Sequence, residues 1–210
     1  VALPCVAAWL GSILSLKKRY SEILLDLISK NQLDLKSMEK QDVSQLFGDR
    51  GTRNRLAAEF SAARGESAVW YARLLRSIGY PNLDRLLLNA LDEQEPAVQV
   101  ALIDMVSDAS NRQKADRLSR FLDAEDPEVV AGALEVASRL DPAAAAGIDF
   151  ERFLSGFGPK SAGYAAAALF QRNPERHEDR IAQWLDSAEP DTIRAGVIAT
   201  VVLTGIFFLI

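Results

Sequence analysis

A single cysteine, Cys5, and a single histidine, His177, bound the chemistry open to this 210-residue chain. A Cys/His zinc site needs about four ligands, so one of each cannot assemble it. An intrachain disulfide is excluded for the same reason. Cys5 lies in an apolar run, and His177 precedes Glu178 and Asp179 where a helix is expected to start, which suits capping or a solvent position better than catalysis. Gly156-Phe157-Gly158 begins like a dinucleotide fingerprint, but Pro159 follows, the third glycine is missing and no strand pattern precedes it. The carboxylates that could share acid–base work, Asp92-Glu93, Glu125-Asp126 and Asp186 with Glu189, recur at equivalent turns between expected helices. Recurrence at every turn fits capping better than catalysis. The expectation is a chain that is no enzyme, with no catalytic, cofactor-binding or metal-binding residues.

The elements that position these residues follow a fixed frame. Pro96, Pro127, Pro159 and Pro190 are separated by 31, 32 and 31 residues, and a period of this size marks a repeat array. Each proline is preceded by an apolar-acidic-Arg-apolar stretch, or its near equivalent: Leu83-Asp84-Arg85-Leu86, Ala115-Asp116-Arg117-Leu118, Phe150-Glu151-Arg152-Phe153 and Glu178-Asp179-Arg180-Ile181. Proline fits the first turn of a helix and is costly inside one, so each frame reads as helix, tight turn, helix. Glu95, Asp126 and Glu189 precede their prolines and are placed to meet the free N–H groups of the second helix. Val98, Ala101, Leu102 and Met105, then Val130, Ala133, Leu134 and Ala137, recur at helical spacing, so the second helix buries one face.

An earlier stretch, from Arg55 through Phe60 and from Val69 through Ile78, fits the frame without its proline and reads as a degenerate first repeat. Residues 141–148 lengthen one connection. Trp70 and Trp184 are expected to pack in or between repeats.

These residues resemble HEAT repeats, paired helices whose second member commonly opens with Asp-Pro before an Ala-rich apolar run. Asp126-Pro127-Glu128-Val129-Val130 with Ala133-Leu134 is the nearest match, and Gly158-Pro159-Lys160 departs from it by lacking the acidic residue. The resemblance covers about residues 52–205. It implies an all-α fold, an α-solenoid of about four to five HEAT-like helix pairs, with an apolar N-terminal helix that could lie in a membrane.

Composition agrees with a folded helical body: 49% hydrophobic and 25% charged residues with a net charge of −5. The acidic balance argues against nucleic acid, because phosphate binding wants a basic stripe, whereas each frame arginine follows an acidic residue.

The ends differ from the middle. Val1 to Leu16 carries no charge and stops at Lys17-Lys18-Arg19, so residues 1–16 read as the end of a possible transmembrane helix. The basic cluster follows the apolar run, the reverse of a secretory signal, and would hold residue 17 onward on the cytoplasmic side. The chain opens on Val1 rather than methionine, which we read as a start inside a longer protein. Residues 17–51 form an amphipathic connector, with Tyr20, Ile23, Leu24, Leu27 and Ile28 on one face, and then a polar linker. Residues 195–210 are free of charge and admit two readings, the last repeat helix or the start of a second membrane span. Ile193, Gly196, Val197 and Thr200 are the residues expected to face inward there.

The order of membrane edge, Lys17-Lys18-Arg19-Tyr20, Leu24-Leu25-x-Leu27 helix and repeats resembles the region after the last membrane helix of bacterial ATP:ADP-translocase-like transporters fused to HEAT repeats. The sequence-level reading is a non-catalytic interaction or regulatory scaffold, the cytoplasmic part of a larger membrane protein. The alternative is a structural or gating appendage of a nucleotide-transporter-like carrier. The partner is expected to be a protein or the membrane portion of the same chain, with no nucleic acid, no metal and no cofactor. Helical phase places Gln99, Asp104, Glu128, Glu135 and Arg139 on the exposed side of the second helices as the partner surface, a weakly acidic groove.

Overall fold

A computed structural model describes residues 50–107 and 112–207, and all the regular structure in it is helical. The expected membrane end at 1–16, with Cys5, and the connector at 17–49 lie outside the described residues. Nine α-helices are described: α1 Arg50–Ala62, α2 Glu66–Ser77, α3 Leu83–Ala90, α4 Pro96–Ile103, α5 Arg112–Leu118, α6 Pro127–Arg139, α7 Gly158–Arg172, α8 Pro174–Leu185 and α9 Pro190–Phe207.

The proline frame marks the helix starts as expected. Pro96 and Pro127 open α4 and α6 at positions where their missing N–H costs nothing, Pro190 opens α9, and Pro159 is the second residue of α7. Of the acids before the prolines, Asp126 caps with its side chain, accepting from the backbone N–H of Glu128 at 2.8 Å and of Val129 at 3.4 Å. Glu95 makes no such cap. Glu189 instead accepts from the Thr192 hydroxyl at 2.8 Å. The difference is one methylene, since a glutamate places its carboxylate too far from the second and third amides for a good cap.

The first helices are less regular than the sequence suggests. Helix α3 tightens into a 3-10 turn over Leu91–Glu93, and α5 into one over Ser119–Asp123. In the third frame no α-helix forms, and only a 3-10 turn, Glu151–Phe153, stands in its place. Gly156 and Gly158 follow at φ 82° and 81°, a left-handed conformation that stops propagation and leaves too few residues for a helix. Residues 141–148 run as turns, held by Arg172 from α7, which donates to the Ala145 carbonyl and to the Ile148 carbonyl at 3.3 Å while lying 4.7 Å over the Phe150 ring. In the fourth frame α8 starts earlier than the frame implies, at Pro174, capped by Asn173.

Packing follows the frame. The second members touch in sequence, α2 on α4, α4 on α6, α6 on α7 and α7 on α9, while α1 meets α3 and α3 meets α5 on the other row. Helices α6 and α7 run in the same direction, because bonded partners advance together: Lys160 to Glu128, Tyr164 to Glu135, Gln171 to the Ser138 carbonyl. Leu56, Phe60, Leu75, Leu87, Leu102, Leu134, Phe150 and Phe153 are fully buried, and each such side chain contributes about 1.5–3 kcal/mol relative to exposure. All but α8 and α9 share one continuous core.

The last pair is built differently. Its own small core is Ala166 and Ala167 from α7, Ile181 from α8 and Ala199 from α9. A Cβ added at Gly163 would stand 2.7 Å from Ile198 and 2.8 Å from the Ala195 carbonyl oxygen, so α7 and α9 approach at a distance that only glycine permits. The inner face of α9 is therefore Ala195, Gly196 and Ala199; of the four residues expected there only Gly196 is buried, whereas Val197 is 47% exposed, Thr200 is exposed and Ile193 half-buried. Small residues win the inner face because they allow the close approach.

Candidate functional site

Polar contacts between units repeat at nearly the sequence period. Lys114 reaches Asp84 thirty residues back at 2.6 Å, Arg120 reaches Asp92 at 3.2 Å, Arg152 reaches Asp123 at 2.8 Å and Arg180 reaches Glu151 at 3.4 Å. On the second-helix row Lys160 meets Glu128 at 2.7 Å and the Tyr164 hydroxyl donates to Glu135 at 2.8 Å. The exposed pairs among these are each worth little in stability, about 0–1 kcal/mol, but together with the buried Lys114–Asp84 pair and the part-buried Tyr164–Glu135 bond they fix the stagger of one unit on the next.

That ladder decides what the five sequence-derived surface residues are doing. Gln99 is half-buried and donates its side-chain amide to the Leu91 carbonyl at 2.9 Å, which braces the turn before α4. Glu135 and Arg139 pair with each other along α6, and Glu135 also takes the Tyr164 hydroxyl. Burial and the neighbouring Glu135 carboxylate push the Tyr164 phenol well above its ordinary value, so it remains a donor at physiological pH. Glu128 is exposed and faces Lys160, and Asp104 is exposed at the end of α4. Glu128, Glu135 and Arg139 share α6, whereas Gln99 and Asp104 belong to the α4 segment. Two of the three carboxylates on this row are thus met by a cation of the same chain, which offsets the acidity expected there.

Two polar clusters escaped sequence reasoning. In the first, the Lys114 ammonium is buried and bonded to Asp84 at 2.6 Å, to the Ser107 carbonyl at 2.6 Å and to the Ser107 hydroxyl at 3.3 Å. Burial opposes ionisation of Asp84, but hydrogen bonds from Lys114 and Ser107 outweigh it and hold the carboxyl below the usual aspartate value. The cluster clasps α3 to α5 across the end of α4. In the second, Glu151 collects Arg176 and Arg180, each at 3.4 Å, and His177 at 4.0 Å. His177 is 4% exposed, neither a cap nor a solvent residue, because α8 begins three residues before it and turns the imidazole inward. Burial lowers its pKa, Glu151 opposes this, and Arg180 and Arg176 reinforce it. The signal that could have located it is the i, i+3 spacing of Arg180 from His177 on an amphipathic α8, with Ile181 four residues on.

Among the described residues no group of three or more His, Cys, Asp or Glu is placed to hold a metal ion, and no helix is long and apolar enough to cross a membrane. Trp70 is half-buried and stacks edge-on against Tyr71 at 4.9 Å, and Trp184 packs against the small core of the last pair. No family model, curated protein or solved structure matches the chain.

Proposed function

We propose that this chain is a HEAT-like helical-repeat module, an α-solenoid that serves as a non-catalytic interaction or regulatory scaffold on the cytoplasmic face of a larger membrane protein. The observation that carries the reading is the consecutive packing of α2, α4, α6, α7 and α9, accompanied by polar contacts at close to 30-residue intervals between α6 and α7 and, on the other row, between α3 and α5. Stacked second helices make a long continuous surface, and such surfaces are what helical repeats use to hold partners. The membrane part of the proposal rests on the charge-free run at 1–16 and the basic cluster after it.

A photoreactive residue placed at Asp104, on the second-helix row, and at Asn89, on the first, tests it in the complete protein inside cells. Adducts to one protein species from position 104 and not from 89 are expected, and the membrane portion of the same polypeptide counts as that species. Equal adduct patterns at the two positions, or none at either, would remove the scaffold reading. Recovery of the protein in a high-salt-washed membrane pellet tests the anchoring separately.

A further inference from the structure

The end of the array presents an apolar face that nothing described covers. Val197 and Val201 are 47% and 63% exposed one turn apart on α9, and Leu185, at the end of α8 against Gly196, is 41% exposed. Three of the four large apolar side chains that stand exposed among the described residues meet here.

The polar groups beside them are already satisfied. Thr200 donates its hydroxyl to the Gly196 carbonyl at 2.9 Å, and Thr204 donates to the Thr200 carbonyl at 2.5 Å. Each bond runs back one turn along the helix, so the face offers water no free hydroxyl donor. The charges of α9, Asp191 and Arg194, sit in its first turns and pair with each other at 3.3 Å. From Ala195 through Ile210 no charge occurs, and the three residues after Phe207 are Phe208, Leu209 and Ile210. The sequence from Pro190 on is thus polar at its start and increasingly apolar after it.

We propose that the outward face of the distal half of α9, centred on Val197 and Val201, rests side-on in the hydrocarbon margin of a lipid bilayer. This inference builds on the membrane-anchored reading above. The described charge-free part of α9, residues 195–207, is thirteen residues, which at 1.5 Å each reach about 20 Å, less than the roughly 30 Å of a bilayer core, and the inner face is occupied by α7. A lateral contact fits both facts. A second copy fits less well, since the three side chains expose at most a few hundred Å², below the ~800 Å² that a stable interface takes from each partner. Lipid needs no such area, because an anchor at residues 1–16 would keep the bilayer at high effective concentration.

The lone cysteine makes the test direct. With an environment-sensitive fluorophore on Val201→Cys in a Cys5→Ser chain, adding phosphatidylcholine vesicles should shift the emission to the blue, and nitroxide-labelled acyl chains should quench it. Val197→Cys should behave alike, and Asn89→Cys should stay water-like. Labelling the native Cys5 reads the N-terminal anchor independently. A vesicle response at Cys5 with none at 197 and 201 overturns this inference and spares the anchor, whereas no response at any of the three overturns both. A blue-shifted signal at 201 before vesicles are added also overturns it: one that rises with protein concentration assigns the face to a second copy, and one that does not assigns it to another part of the chain.

Discussion

Gln94 grips the backbone around Gly65 with both ends of its carboxamide. Its Oε1 accepts the Gly65 N–H at 3.1 Å and its Nε2 donates to the Ala63 carbonyl at 3.0 Å, while Arg64 between them pairs with Glu93. Gln94 is only 7% exposed, and Gly65 holds φ 61°, so one side chain pairs the Gly65 N–H and shares the Ala63 carbonyl with the Arg64 guanidinium, which donates to it at 2.9 Å. The first unit is therefore docked on the second by its turn as well as by the shared core.

Replacing Gln94 by Ala leaves the Gly65 N–H unpaired and the Ala63 carbonyl with only the Arg64 guanidinium as donor. We expect a loss of about 1–3 kcal/mol in urea unfolding. Gln94→Glu should recover only part of this, since a carboxylate accepts from Gly65 but faces the Ala63 carbonyl oxygen. Equal stability of Gln94→Ala and the parent would mean that the turn is held by α1 and α2 alone.

The contact between Gly163 and Ile198 sets a second expectation. A methyl at 163 meets Ile198 at 2.7 Å and the Ala195 carbonyl at 2.8 Å, and the latter cannot swing away as a side chain could. Gly163→Ala should cost on the order of 1–3 kcal/mol, and Ile198→Ala should relieve only the Cγ2 part of the clash in a double-mutant cycle, because the Cβ at 198 and the Ala195 carbonyl remain. Gly79→Ala is the contrast, because nothing lies within 4 Å of its Cβ and only φ 62° opposes it. Its cost should stay near 1 kcal/mol.

Much of this architecture was legible in the sequence, and the parts that were not share a cause. The prolines located α4, α6, α7 and α9 because a missing N–H is a local property of the chain, visible without knowing any neighbour. The buried face of α6 followed from periodicity for the same reason: Val130, Ala133, Leu134 and Ala137 are all buried. The missing helix at Phe150 and the inner face of α9 were not legible. One depends on how Gly156 and Gly158 resolve their freedom, the other on how closely α7 approaches. Gln99, Glu135 and Arg139 read as exposed by phase alone, yet Tyr164, which meets Glu135, is placed by how α7 lies on α6, and the Leu91 carbonyl that holds Gln99 by how the turn before α4 folds. Asp84, Ser107 and Lys114 are spread over thirty residues with no motif to join them.

Lys114→Met removes a buried cation and leaves Asp84, which is partly exposed, to find water. Breaking the clasp should cost roughly 3 kcal/mol, at the low end for a buried pair because one partner is accessible. The Asp84 carboxyl lies below its ordinary value in the folded chain, so its contribution is full above the unfolded aspartate value and fades as pH falls through the folded one. The loss of stability below about pH 4 should accordingly be shallower in Lys114→Met than in the parent. An unchanged slope would detach Asp84 from acid unfolding.

Charge reversal separates the stacking role of α6 from any partner role. Glu128→Lys disrupts a surface pair with Lys160 and should shift the unfolding free energy by less than about 1 kcal/mol. Glu135→Lys strips Tyr164 and Arg139 of their shared acceptor and should cost more, roughly 1–2 kcal/mol. If the row holds a basic partner, Glu128→Lys should weaken capture while leaving the melting curve in place. Capture unchanged by this variant would take Glu128 off the partner surface.

His177 gives the helical fold a pH dependence of its own. Burial and the cations of Arg180 and Arg176 lower its pKa, and Glu151 at 4.0 Å does not compensate. The unfolded chain therefore binds the proton more readily than the folded one, so stability is full above the unfolded histidine value and falls as pH drops below about 6.5. The unfolding midpoint should be lower at pH 5.5 than at pH 7.5, and His177→Gln should flatten that difference. Glu151→Gln should steepen it, because the single opposing carboxylate is then gone while both arginines remain. A midpoint constant across this range in the parent would mean that protonated His177 finds its own accommodation beside Glu151.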